Sequence, residues 1–377
     1  MGHVRKNSRG RWQARYRDPM GRERARNFTR RLDAERFLSL IEADKLRGQW
    51  VDPEAGKITV GEFAERWYAT TVSLKPKTRA GYRSLLDSRV QPYLGPFQLR
   101  HIDPLVVREW IADLSAAGIS ASRIRQARNV LHAVFTLAQE ASLVARNPVE
   151  GVKTPPLPSS DRRYLATNEV QRLAASMPSP HDVLTQVLAY TGIRFGEAAA
   201  LRRSRCDLSA SRLHIAESLA EVGGDLHFGP TKNHRQRSVV VPATVRDLLA
   251  HHLDTLPPEP DALVFTSPTG RPLRYSNFRN RVWVPATTAA GLTDLDIHEL
   301  RHSAASLMIR AGADPKLVQN QLGHASISIT YDVYGHLFPD RLDELGEDLD
   351  RLLRGTRASS PNTRPIGEER RGLGRSI

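Results

Sequence analysis

Between Asn147 and Arg163 the chain carries Pro148, Pro155, Pro156 and Pro158, with Ser159 and Ser160 beside them. Each proline lacks an amide proton and fixes its own φ, so no helix or central strand can run through this stretch. It separates two long segments of helical periodicity. A chain of 377 residues is long enough for each side to bury its own core. A multidomain protein with a linker over 151–163 is therefore expected.

The first 31 residues are the most basic part of the chain. Eleven basic residues, from Arg5 and Lys6 to Arg30 and Arg31, face only Asp18 and Glu23. Gly10 to Arg17 alternates around Trp12 and Tyr16, Asp18-Pro19-Met20-Gly21 supplies turn chemistry, and Arg24 to Phe28 can return as a second strand. Asp33 to Gly48 has the apolar spacing of a helix through Phe37, Leu38, Ile41 and Leu46. Residues 1–56 thus read as a small α+β module built to grip a polyanion. Residues 57–150 read as a helical bundle of four amphipathic helices. Thr59 and Glu62 form a capping box ahead of the first, Pro76 opens the second, Pro104 the third, and Ser120 or Ser122 caps the fourth. Beyond the linker, 164–354 reads as mixed α/β and mostly α, with one β segment near 212–242. Residues 355–377, rich in Arg, Gly, Ser and Pro, read as a disordered tail.

Net charge is +14, with 55 Lys and Arg against 41 Asp and Glu. That excess favours nucleic acid as partner. The single cysteine, Cys206, excludes a disulfide framework or a Cys-based zinc site within one chain. The basic start lacks the apolar stretch of a signal peptide, and no apolar run is long enough to span a bilayer, so a cytoplasmic protein without membrane contact is expected.

His298-Glu299-Leu300-Arg301-His302 fits the H-E-x-x-H pattern of zinc peptidases. Five residues with two free positions are easily met by chance, and no third histidine follows at the required spacing. The wider set of motifs is more specific. Thr191-Gly192-Ile193-Arg194-Phe195-Gly196-Glu197 is followed by Pro230-Thr231-Lys232-Asn233 on a hairpin-like turn. Next come the His298–His302 run, Leu322-Gly323-His324, and Tyr331-Asp332-Val333-Tyr334-Gly335-His336. In this order and spacing the chain resembles the tyrosine recombinases, the phage integrase family. The basic N-terminal module and the bundle are similar to the arm-type and core-site DNA-binding domains of its longer members.

The resemblance implies a catalytic set of Arg194, Lys232, His298, Arg301, His324 and Tyr334. Two guanidiniums suit the charge that builds on a phosphodiester during its displacement. Lys232 matches the acid that protonates the leaving 5′ oxygen. It is the only lysine between Lys153 and Lys316 in a chain that otherwise uses arginine. His298 matches the proton-transfer histidine and His324 the phosphate-binding one, while Tyr334 rather than Tyr331 matches the nucleophile. His302 and Glu197 fall on recurrent positions and are read as structural support. The implied activity is site-specific recombination of a phage or mobile element through a 3′-phosphotyrosyl intermediate, without cofactor or metal. The implied partner is double-stranded DNA at attachment sites, bound by a homotetramer, with an excision factor and a host DNA-bending protein as candidate auxiliaries. The helix expected over Arg341–Leu353 would dock on a neighbour, although core packing within one protomer would account for its leucines equally well. Competing readings are a type IB topoisomerase, which would relax DNA without a specific site, and a DNA-binding regulator that had lost catalytic residues.

Overall fold

The alternation at the N-terminus becomes a three-stranded antiparallel sheet, β1 (His3–Lys6), β2 (Trp12–Arg17) and β3 (Glu23–Phe28), in the order β1-β2-β3. The structure is a computed structural model that describes residues 2–18, 21–46, 55–157, 162–231, 236–339 and 342–358. On β2 the period of two sends Ala14 and Tyr16 inward against α1 (Arg31–Leu46), which contributes Ala34, Leu38 and Ile41. The other face carries Arg5, Gln13 and Asn27 in cross-strand register, with Arg15 beside them on β2. The sequence reading missed β1. Its only apolar residue is Val4, which packs on this small core.

The chain divides into two compact units, Met1–Asp161 with Leu219–Gly229, and Arg162–Ser218 with Pro230–Ile377. In the first, the helical bundle follows the expected starts. Thr59 and Glu62 make a complete capping box for α2 (Val60–Thr70). Pro76 sits in the first turn of α3 (Pro76–Leu85), which passes through a π-helical turn into α4 (Gln91–Leu94). Asp103 caps α5 (Pro104–Ala116), and Ser120 caps α6 (Ala121–Glu140). Phe63, Trp67, Leu86, Trp110, Leu131 and Phe135 meet in the bundle core. The Trp110 indole N–H donates to the Arg89 carbonyl at 2.8 Å, so burying it leaves no orphan donor.

The second unit opens with α7 (Thr167–Ala175), α8 (His181–Thr191) and α9 (Phe195–Ala199). The single β segment expected near 212–242 is richer than that. Strands β4 (Cys206–Asp207), β5 (Arg212–Ile215) and β8 (Arg237–Val240) form one antiparallel sheet in the order β4-β5-β8; β6 (Glu217–Val222) pairs with β7 (Asp225–Pro230), a hairpin whose Leu219–Gly229 stretch groups with the first unit. Then follow α10 (Ala243–Asp254), α11 (Tyr275–Phe278), α12 (Val284–Ala289), α13 (Glu299–Arg310), α14 (Pro315–Leu322), α15 (Ile327–Tyr334) and α16 (Leu342–Ala358). Helix α8 buries Val183, Leu184, Val187, Leu188 and Ala189, as a helix apolar on most sides must. Helix α13 packs on it, with the small side chains of Ala304 and Ala305 buried.

Helix α16 continues four residues into the segment read as a tail. Exposed ion pairs one turn apart, Arg351 with Asp348 and Arg354 with Asp350, line the last turns before the expected stop. Residues 359–377 lie outside the described residues. No helix among the described residues is long and apolar enough to cross a membrane.

Candidate active site

Two helix ends and one helix start place the cluster. Helix α8 stops at Gly192, whose φ of +69° gives the left-handed cap that a side chain would strain. The turn after it presents Arg194 at the start of α9. There Glu197 accepts the Arg194 backbone N–H at 2.9 Å and the Arg194 Nη1 at 2.9 Å. Helix α14 likewise ends at Gly323, φ +70°, where any Cβ would collide with the Arg237 guanidinium. That close approach lets Arg237 grip both oxygens of Glu197, at 2.8 and 3.1 Å, while its Nε donates to the Gln321 carbonyl.

Arg301, one turn into α13, is 3% exposed. Its Nη1 donates to the Gly192 carbonyl at 2.6 Å, whereas the buried Nη2 has no hydrogen-bond partner among the described residues. Desolvation, and then the Arg194 charge, push its pKa down to about 9 against the pull of Glu197. It is still a cation at neutral pH. A buried guanidinium with one edge satisfied and one donor open is an anion site in waiting.

Tyr334, the last residue of α15, is 1% exposed, and Tyr331 is 53% exposed. The Tyr334 hydroxyl lies 2.8 Å from His302 Nδ1, and its ring stacks on His324 at 6.2 Å and 8°. Burial raises its pKa to about 12, although Arg301 pulls the other way. His324 Nδ1 bonds the buried Thr330 hydroxyl at 2.9 Å, which fixes the ring and leaves Nε2 for a ligand. The His298 ring meets His302 edge-on at 5.2 Å. The structure thus brings together Arg194, His298, Arg301, His324 and Tyr334. Lys232 lies outside the described residues; Thr231, just before it, is buried and lines a groove shared with Arg194, Arg237, Lys316 and His324.

Sequence reasoning missed Arg237 as a member of this cluster. Its signal was faint: an arginine opening the apolar run Ser238–Val241. The peptidase pattern dissolves here, because Glu299 accepts backbone N–H groups from Arg163 and Asp296 and so ties the segments before α7 and α13 together. Among the described residues no group of three His, Cys, Asp or Glu side chains is placed to hold a metal ion.

His302 and His324 both have their pKa lowered to about 4, chiefly by burial, then by His298 for the former and Arg301 for the latter. The unfolded chain therefore binds protons below pH 6.5 that the folded one refuses. Stability is full above 6.5 and is lost as pH falls toward 4, by on the order of 1–3 kcal/mol per histidine. Urea unfolding at pH 7 and pH 5 should show this drop, and His324→Asn should reduce it.

Sequence profiles agree with the geometry. That of the phage integrase family matches residues 163–341, that of the phage integrase N-terminal domain matches 1–47, and that of the phage integrase N-terminal SAM-like domain matches 59–115. The integrase of Mycobacterium phage D29 is 31% identical, over 86% of this chain and 90% of its own length. The chain belongs to the phage integrase family, the tyrosine recombinases. The ICEBs1 integrase of Bacillus subtilis is a more distant member, 23% identical over 89% of this chain and 95% of its own. Among solved structures, a Tn1549 transposon integrase in complex with a circular intermediate DNA has a TM-score of 0.67 at 17% identity, covering 78% of this chain and 99% of its own. A lambda integrase dimer bound to a core site has a TM-score of 0.56 at 21% identity, covering 72% and 97%. These two likenesses are of fold. The recombinase assignment makes this an enzyme of DNA strand breakage and rejoining, specific for its sites.

Proposed function

We propose that this recombinase integrates and excises a phage or mobile element, with Tyr334 as nucleophile. The observation that carries the assignment is the Nη2 of Arg301, which has no hydrogen-bond partner among the described residues and is buried in one cluster with Tyr334. A scissile phosphate that filled this gap would give the donor its acceptor and bring phosphorus to the tyrosine. Arg194 and His324 would bind the remaining phosphate oxygens, and a phosphorane's extra charge would fall among fixed cations. Attack by the phenol oxygen forms the 3′-phosphotyrosyl bond and releases a 5′ hydroxyl, whose proton comes from Lys232 or His298 in the roles that family resemblance gives them.

The neighbours' DNA-bound states suggest the partners. A lambda integrase tetramer has been solved on a Holliday junction, with TM-score 0.56. We take the active form here as a tetramer on two attachment sites, with residues 1–56 on arm-type DNA, 57–150 and 164–354 on the core site, and 151–163 between them. Leu345, Leu349 and Leu352 on α16 are exposed, as docking on a neighbour requires. An excision factor and a host bending protein complete the proposal.

A nicked duplex that carries the element's junction sequence tests the nucleophile. Tyr334→Phe should form no covalent protein–DNA adduct, while Tyr331→Phe should keep the rate within about threefold. The opposite outcome overturns the assignment.

A further inference from the structure

We infer that His302 is the general base of strand cleavage: it takes the Tyr334 proton at Nδ1 as the phenol oxygen attacks phosphorus. The inference rests on Tyr334 being the nucleophile.

The geometry is direct. Nδ1 and the hydroxyl oxygen are already 2.8 Å apart, within the reach a proton acceptor needs. Tyr334 is 1% exposed, so bulk water has little access to this proton. His302 also follows Arg301 immediately on α13. Adjacent residues of one helical turn thus address both reactants, Arg301 the phosphate and His302 the attacking oxygen. Burial and the groups facing the ring, namely His298, Arg162 and Arg301 against Asp296, favour the neutral imidazole, the form whose lone pair can accept. A bound phosphate diester would offset those cations and raise the basicity of the ring when it is needed.

The step balances. The O–H bond of Tyr334 breaks and its proton passes to Nδ1. The tyrosyl O–P bond forms, the P–O5′ bond breaks, and the leaving oxygen takes a proton from the general acid. On religation the imidazolium returns its proton to the departing phenolate.

The test uses the full-length protein and two nicked junction duplexes, one normal and one with sulfur in place of the bridging 5′ oxygen. A thiolate leaves without an acid, so the sulfur duplex bypasses general acid catalysis and isolates activation of the nucleophile. His302→Asn keeps an acceptor oxygen near the place of Nδ1 but takes no proton. We expect adduct formation to slow by about 10²–10³-fold on both duplexes. The variant's rate should climb about tenfold per pH unit between 7 and 9, because the phenol must then ionise before it attacks, with a shallower wild-type profile. A residue that only packs against Tyr334 would not steepen the pH profile. A His302→Asn rate within threefold of wild type, a deficit that vanishes on the sulfur duplex, or an unchanged pH profile overturns the inference. If Asn unfolds the protein, His302→Gln supplies the same readouts. Adduct formation by Tyr334→Phe would instead sink the nucleophile assignment, so the two failures are distinguishable.

Discussion

Arg301→Met should abolish strand cleavage while leaving the fold as stable as before. The guanidinium is buried, donates one hydrogen bond to Gly192 and holds one N–H with no partner among the described residues. In the folded resting state its charge is a burden, since it is desolvated and faces Arg194 and Arg237. Replacing a buried ion with an apolar side chain of similar volume is often neutral or stabilising, so unfolding free energy should stay within about 1 kcal/mol of wild type. Losing a fixed donor for a charge that develops in the transition state costs about 10²–10³-fold, and losing a cation with it should reach at least the upper figure. Arg301→Lys should fare little better: an ammonium is a point charge and cannot span the Gly192 carbonyl and a phosphate oxygen as the planar fork does. Thermal unfolding beside adduct formation on a nicked duplex checks both halves. A variant that cleaves normally would remove Arg301 from the chemistry, and one that loses activity only because it unfolds would show that Arg301 serves the fold.

Elements whose causes lie within a few residues were legible in the sequence. Thr59 with Glu62 and Ser120 before Ala121 satisfy orphan amides locally, Pro76 and Pro104 suit a first helical turn, and the helices start where these residues say. β1 was not legible, because an edge strand needs only one inward side chain and His3–Lys6 supplies only Val4. In the active site, the ordered motifs named the residues but not their partners. Arg237 reaches Glu197 across 40 positions, and His302 reaches Tyr334 across 32. The contacts depend on how β8 meets α9 and how α13 meets α15, and no periodicity reports that. Glu197, read from the sequence as structural support, does hold two arginines together, but which second arginine it meets was not legible.

Glu197 carries the largest expected effect on stability. Its side chain is 1% exposed, and it accepts from the Arg194 side chain and backbone and from two nitrogens of Arg237. Burial alone would raise its pKa, but the Arg237 hydrogen bonds and charge, with Arg194, prevail and hold it below the usual value. Its negative charge also favours the Arg301 guanidinium, which the charges of Arg194 and Arg237 both oppose. In Glu197→Gln the shape survives, but three guanidiniums then share one region without that counter-ion. Breaking a buried pair by removing one partner costs about 3–5 kcal/mol, so the melting temperature should fall by roughly 6–20 °C for a unit of this size. If the loss comes from uncompensated cations, removing one of them should return part of it. Glu197→Gln with Arg237→Met should therefore melt above Glu197→Gln alone, whereas independent contacts would add their losses and push it lower. Thermal unfolding of the four proteins in this cycle decides between coupling and addition.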